Sequence, residues 1–229
     1  MNSFIADAPF GYRTADQINS AMGRVYGHMG LAILTSMIVS LLVASSPAAM
    51  AFFFTGAMKW VVIFAPLVAI LVLGFGIYKM TKPMATLALH GFAALMGLSF
   101  STIFVIYSIG SIVSAFMGGA ILFGVMSFYG YFTKRDLTSL GSFLFVGLIA
   151  IVIASIVNIF IGSSVAAMVI SALAIVIFTG LTAYDTQRIR EMVSVENEGN
   201  LEILGALTLY LDFINIFLSL LQLFGNKND

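Results

Sequence analysis

Along the chain, long uncharged apolar runs alternate with short polar connections. A helix needs about 20 apolar residues to cross the hydrocarbon core of a bilayer. Seven runs meet that length: Val25–Ser46 (ended by Ser45-Ser46-Pro47), Ala57–Tyr78, Met84–Tyr107, Ile112–Phe132, Ser142–Ile161, Val165–Gln187 and Ile203–Phe224. Lys59 and Trp60 stand at the start of the second run as interface anchors. Pro66 inside that run predicts a kink, and Pro83 is placed to open the third helix. Backbone polar groups in lipid must be satisfied within the segment, so these runs are read as helices. The pattern predicts an all-α membrane protein: a polar tail over residues 1–24, then one domain of seven transmembrane helices over residues 25–229. Six spans with one re-entrant or surface helix is the competing count.

The connections set an orientation. One set carries Arg13, Arg24, Lys79, Lys82, Lys134, Arg135, Arg188 and Arg190; the alternate set carries only Lys59 and Lys227. The positive-inside rule places the first set, and with it the N-terminus, in the cytoplasm, and the C-terminus outside. The first 24 residues lack the basic-then-apolar layout of a signal peptide.

Composition narrows the chemistry. Hydrophobic residues make up 61% of the 229 and charged residues 9%, against about 25% charged in a soluble domain. Basic and acidic residues balance at 10 each, which gives no electrostatic footprint for nucleic acid. The chain has no cysteine, so disulfides, thiolate metal sites and cysteine nucleophiles are excluded. Its only histidines are His28 and His90, too few for a multi-histidine metal centre. No cofactor is expected beyond transient calcium.

Ionisable groups inside a span are costly and are functional candidates by default. Three are singled out: Asp185 in the sixth run, Asp212 in the seventh and His90 in the third. The sixth and seventh runs are consecutive and antiparallel. Counting the helical rise puts Asp185 ~3–6 Å and Asp212 ~10–14 Å below the cytoplasmic surface. The two depths converge if the Glu202–Gly205 turn projects above the membrane. Two carboxylates at close range in low dielectric cannot both stay ionised, so such a pair titrates as a unit. Deprotonated, it offers the oxygen ligands that hard cations such as calcium prefer. The pair is therefore a candidate pH sensor and tentative calcium site. The competing reading has Asp185 capping its helix and pairing with Arg188 or Arg190, and Asp212 bonded to Tyr184, Tyr210 or backbone. Lys79, Lys82 and His90 are possible sensor partners; snorkelling lysines and a structural histidine are the alternatives. Asn158 and Asn215 read as interhelical hydrogen bonds. Glu191, Glu196, Glu198 and Glu202 read as a solvated acidic connection, with concentration of cations at a cytoplasmic mouth as the alternative.

Three stretches are distinctive: Gly130-Tyr-Phe-Thr-Lys-Arg-Asp-Leu137, Gly180-Leu-Thr-Ala-Tyr-Asp-Thr-Gln187 and Gly205-Ala-Leu-Thr-Leu-Tyr-Leu-Asp-Phe-Ile-Asn-Ile-Phe217. With them the chain resembles the Bax inhibitor motif family in its bacterial branch, from Val25-Tyr-Gly-His-Met to Phe224-Gly-Asn. The resemblance implies seven helices with the last surrounded by the other six, and a location in the bacterial inner membrane. It also implies a pH-sensing aspartate pair controlling a calcium leak, which maps onto Asp185 and Asp212. In some members a basic residue at the inner end of the second helix engages the sensor; here the candidates are Lys79 and Lys82, which lack the planar fork of arginine.

The leading expectation is a non-enzymatic, pH-sensitive calcium or cation leak channel. A second is an interaction protein that modulates a membrane protease or a stress response. An intramembrane aspartyl protease also needs paired carboxylates. However, those enzymes carry Gly-x-Gly-Asp where this chain reads Tyr210-Leu211-Asp212, and no proline follows Pro83 here.

Overall fold

A computed structural model describes residues 13–195 and 199–228. Thr14 opens α1 (Ala15–Ala44) with a capping box: its hydroxyl accepts from Gln17 N at 3.3 Å, and the Gln17 side chain accepts from Thr14 N at 2.9 Å. The helix thus starts ten residues ahead of the predicted Val25, inside the expected tail; residues 1–12 of that tail lie outside the described residues. After Ser45, Ser46 caps a short helix, α2 (Pro47–Phe54), in the stretch that the apolar pattern leaves as the connection between the first and second spans.

Helix α3 (Met58–Gly76) runs unbroken through Pro66 into a 3₁₀ turn, Ile77–Lys79. Lys59 Nζ sits 5.4 Å from the centroid of the Trp60 ring at its start. Helix α4 (Lys82–Phe100) opens with Pro83 in its first turn, as the sequence predicts, and a turn of helix, α5 (Ile103–Ile106), completes that span. Then come α6 (Ile109–Phe132), α7 (Thr138–Ile161), α8 (Ser164–Val195) and α9 (Gly199–Phe224). Among the described residues, seven helical stretches are long and apolar enough to cross a membrane.

The architecture is two helical groups with α9 between them. One group is α1 packed on α4, with α3 on the outside of α4; the other is α8 packed on α6 and α7. Helix α9 lies against α1, α4, α6 and α8. Of its most apolar stretch 67% is buried, against 11–28% in the other spans, which makes α9 the core of the bundle. The outer surface is apolar: Phe75 is 83% exposed and Phe160 85%. Such a belt suits lipid and would not suit water.

Small residues set the closest approaches. A Cβ on Gly97 of α4 would lie 2.5 Å from the Ser36 carbonyl oxygen of α1, and one on Gly130 of α6 would overlap the Ala183 carbonyl of α8. The chain end is tied back to the α5–α6 link: Asn228 N donates to Ile106 O at 2.8 Å, Ser108 N to Asn226 O at 3.1 Å, and Asn226 N to Ser111 Oγ at 2.9 Å.

Candidate functional site

Helix α8 continues to Val195 and α9 begins at Gly199, so most of the predicted polar connection between them is helical; Glu196 and Glu198 lie outside the described residues. This change narrows the mismatch in depth to about 5 Å at the helical rise. With a rise of 1.5 Å per residue, Asp185 stands about 15 Å from the end of α8 and Asp212 about 20 Å from the start of α9. The antiparallel helices bring the two side chains together: their carboxyl groups lie within hydrogen-bonding reach of each other. Asp185 is 8% exposed and Asp212 4%.

Little else satisfies the pair. Asp212 Oδ2 is buried without a hydrogen-bond partner among the described residues. Arg188 is within electrostatic range of Asp185 but forms no ion pair with it. Arg190 is turned elsewhere: Nη1 donates to Tyr131 O at 3.1 Å, with the guanidinium 5.0 Å from the Tyr131 ring centroid. The reading in which Asp185 pairs with Arg188 or Arg190 is therefore not realised. Ionised carboxylates are acceptors only. Two of them in contact need a proton between them, or a cation.

The five residues put forward as sensor partners point elsewhere. Lys82 Nζ donates to Glu202 Oε2 at 2.9 Å. Lys79 is exposed and, with Lys82 and Asn200, lines a separate cleft of about 370 Å³. His90 Nδ1 pairs with Thr35 Oγ1 at 2.9 Å, between α4 and α1. The Tyr184 ring fills the space left by Gly141 of α7, where a Cβ would lie 2.5 Å from it. Tyr210 is fully buried, with its hydroxyl 2.7 Å from Ser36 Oγ and its ring edge-to-face on Phe92 at 5.9 Å. The asparagines also differ from expectation. Asn215 Nδ2 donates to Leu211 O of its own helix at 2.8 Å, and Asn158 Oδ1 accepts from Ser163 N at 3.2 Å just past α7.

Sequence reasoning missed two polar groups. Glu202, read as part of a solvated connection, is 2% exposed in the first turn of α9. It takes two bonds from Arg24, Nη2 to Oε1 at 2.6 Å and Nε to Oε2 at 2.9 Å, besides the one from Lys82. The flanking Leu201, Ile203 and Leu204 were the available signal that this turn faces the core. The second group is a chain of hydroxyls: Tyr26 to Ser127 at 2.6 Å, and Ser127 to Thr186 at 3.0 Å, joining α1, α6 and α8 at the residue after Asp185. Nearby, the α6–α7 connection is held to α8: Leu137 N donates to Gln187 Oε1 at 3.0 Å, and Gln187 Nε2 to Arg135 O at 2.9 Å. There Thr138 N donates to Asp136 at 2.8 Å, and the hydrogen bonding from Thr138 holds that exposed carboxyl below its ordinary value.

A central apolar helix, a lipid-suited surface and a buried carboxyl pair define a seven-helix integral membrane protein. Residues 18–229 match the family model described as inhibitor of apoptosis-promoting Bax1, and the chain belongs to the Bax inhibitor-1 family. It is 42% identical over 217 residues to the inner membrane protein YbhL of Escherichia coli, covering 92% of this chain and 93% of that one. It is also similar to an uncharacterised protein of Rickettsia prowazekii, 39% identical over 212 residues, with 91% and 90% covered. A third relative, from Deinococcus radiodurans, is 38% identical over 223 residues, with 95% and 94% covered.

Proposed function

We propose that this protein is a pH-sensitive cation leak, with calcium the favoured ion, and that the Asp185–Asp212 pair is its sensor. The observation that carries the reading is the contact itself. Two buried carboxyl groups from antiparallel helices meet with no hydrogen bond or ion pair from a third group among the described residues. Such a contact is bridged by a proton or by a hard, oxygen-seeking cation. Protons and calcium then compete for the same oxygens, which makes cation passage pH-dependent. Losing the bridging proton sets two negative charges against each other across α8 and α9 and biases those helices apart.

The loop charges support a cytoplasmic N-terminus and an external C-terminus. The seven spans, with the name of the E. coli relative, support the inner membrane as the location. The role is read as non-enzymatic: the second carboxyl stands in Tyr210-Leu211-Asp212 and not in the Gly-x-Gly-Asp of intramembrane aspartyl proteases.

The test is calcium entry into dye-loaded vesicles carrying the purified protein. The parent admits calcium faster than protein-free vesicles, and Asp185→Asn or Asp212→Asn changes that rate. No entry above the protein-free rate, with a membrane protease co-purifying, would replace this reading with that of a protease modulator.

A further inference from the structure

The two helical groups around α9 are held to it by different chemistry. On the α8 side the tie is the aspartate pair. On the other side it is Glu202, ten residues nearer the start of α9, which Arg24 of α1 and Lys82 of α4 grip together. The Glu202 side chain is 3% exposed, while those of Arg24 and Lys82 are 45% and 44% exposed. The carboxylate is thus buried and its two cations sit at the rim. Losing the cations would leave a buried, uncompensated charge, which is strongly unfavourable. The clamp therefore favours one position of α1 and α4 on α9.

The clamp sits beside the seam between α1 and α6. Along the half of the seam nearer Arg24, these helices meet through two hydrogen bonds, Tyr26 with Ser127 and Tyr131 with Asn19. Between the two helices lies a cleft of about 490 Å³, with Gly23 on one wall, Gly124 on the other, and Phe123 and Ser127 lining it. Ser127 in turn reaches Thr186, next to Asp185. A second, apolar cleft of about 250 Å³ continues the seam towards the other end, where Phe213 and Phe217 of α9 are in view between α1 and α6. A cleft-lined boundary thus runs alongside α9, and the ion pairs nearest to it among the described residues are those of Glu202.

We propose that the Arg24–Glu202–Lys82 cluster is a lock that keeps the α1–α3–α4 group closed against the α6–α7–α8 group, and that its release opens the α1/α6 seam sideways to the bilayer. The lock stands apart from the aspartate pair and from any ion selectivity, so it is tested by distance.

The chain has no cysteine of its own. Spin labels at Ser20→Cys on α1 and Tyr129→Cys on α6 therefore report the seam in the reconstituted full chain. The parent should give one narrow distance distribution. Arg24→Gln with Lys82→Gln should broaden it and move it to longer distance, as should Glu202→Gln. Arg24→Lys, which keeps the charge but not the two-pronged contact, should give an intermediate distribution and guards against variants that fail to fold. A parent-like distribution in the charge-removed variants, even with a lower melting temperature, would overturn the lock and leave the cluster a stability element.

Discussion

At the scale of the residue, hydrogen-bonding capacity separates the two tyrosines named as sensor partners. Tyr210 delivers its hydroxyl to Ser36, which also donates to Ala93 O at 2.8 Å. Tyr210→Phe should therefore cost about 0.5–1.5 kcal/mol of stability, the usual worth of one buried hydrogen bond. It should leave any pH response intact, as thermal unfolding in detergent and a flux assay would show. Tyr184 has only a packing role against Gly141, so Tyr184→Phe should be nearly silent in both. Asp136 lies outside the spans and its carboxyl is held low, so its contribution is present at neutral pH and lost as pH falls through its folded value. Asp136→Asn should flatten a small acid-side decline in melting temperature. The sequence made Asp185 and Asp212 visible because charge inside an apolar run is rare. It hid Glu202 because a carboxylate at the start of a helix looks solvated until its two cations, 178 and 120 residues away, are known.

At the scale of the element, the spans were legible because apolar length is a direct readout of bilayer thickness. Their ends were less so. Helix α8 extends eight residues past Gln187 through Arg188 and Arg190, since charged residues are good helix formers once the chain is clear of lipid. That extension is what brings Asp185 to within about 5 Å of the depth of Asp212. Helix contacts depend on residues with no side chain to signal them. Gly130→Ala should force α6 from α8 and cost about 1–3 kcal/mol, the usual range for overpacking. Gly124→Ala, where a Cβ meets nothing within 4 Å, should be tolerated. Unfolding midpoints of the two variants in the same detergent compare them directly.

At the scale of the whole molecule, the central claim is that one carboxyl contact on the buried helix makes the bundle responsive to pH. Among the spans of the described residues, α9 alone has most of its apolar stretch inside the protein, so a change at Asp212 is felt by α8 directly and by α1, α4 and α6 through shared packing. The sequence indicated that two acids were present on neighbouring spans. It could not indicate that Lys82, His90, Tyr184 and Tyr210 would be engaged elsewhere, because their partners come from α9, α1 and α7 and only the packed bundle brings them together. The most direct measurement is the pH profile of calcium entry into vesicles carrying the parent, Asp185→Asn or Asp212→Asn. The account predicts a rate that titrates with pH in the parent and loses that dependence in both variants. Superimposable profiles for all three proteins would contradict it.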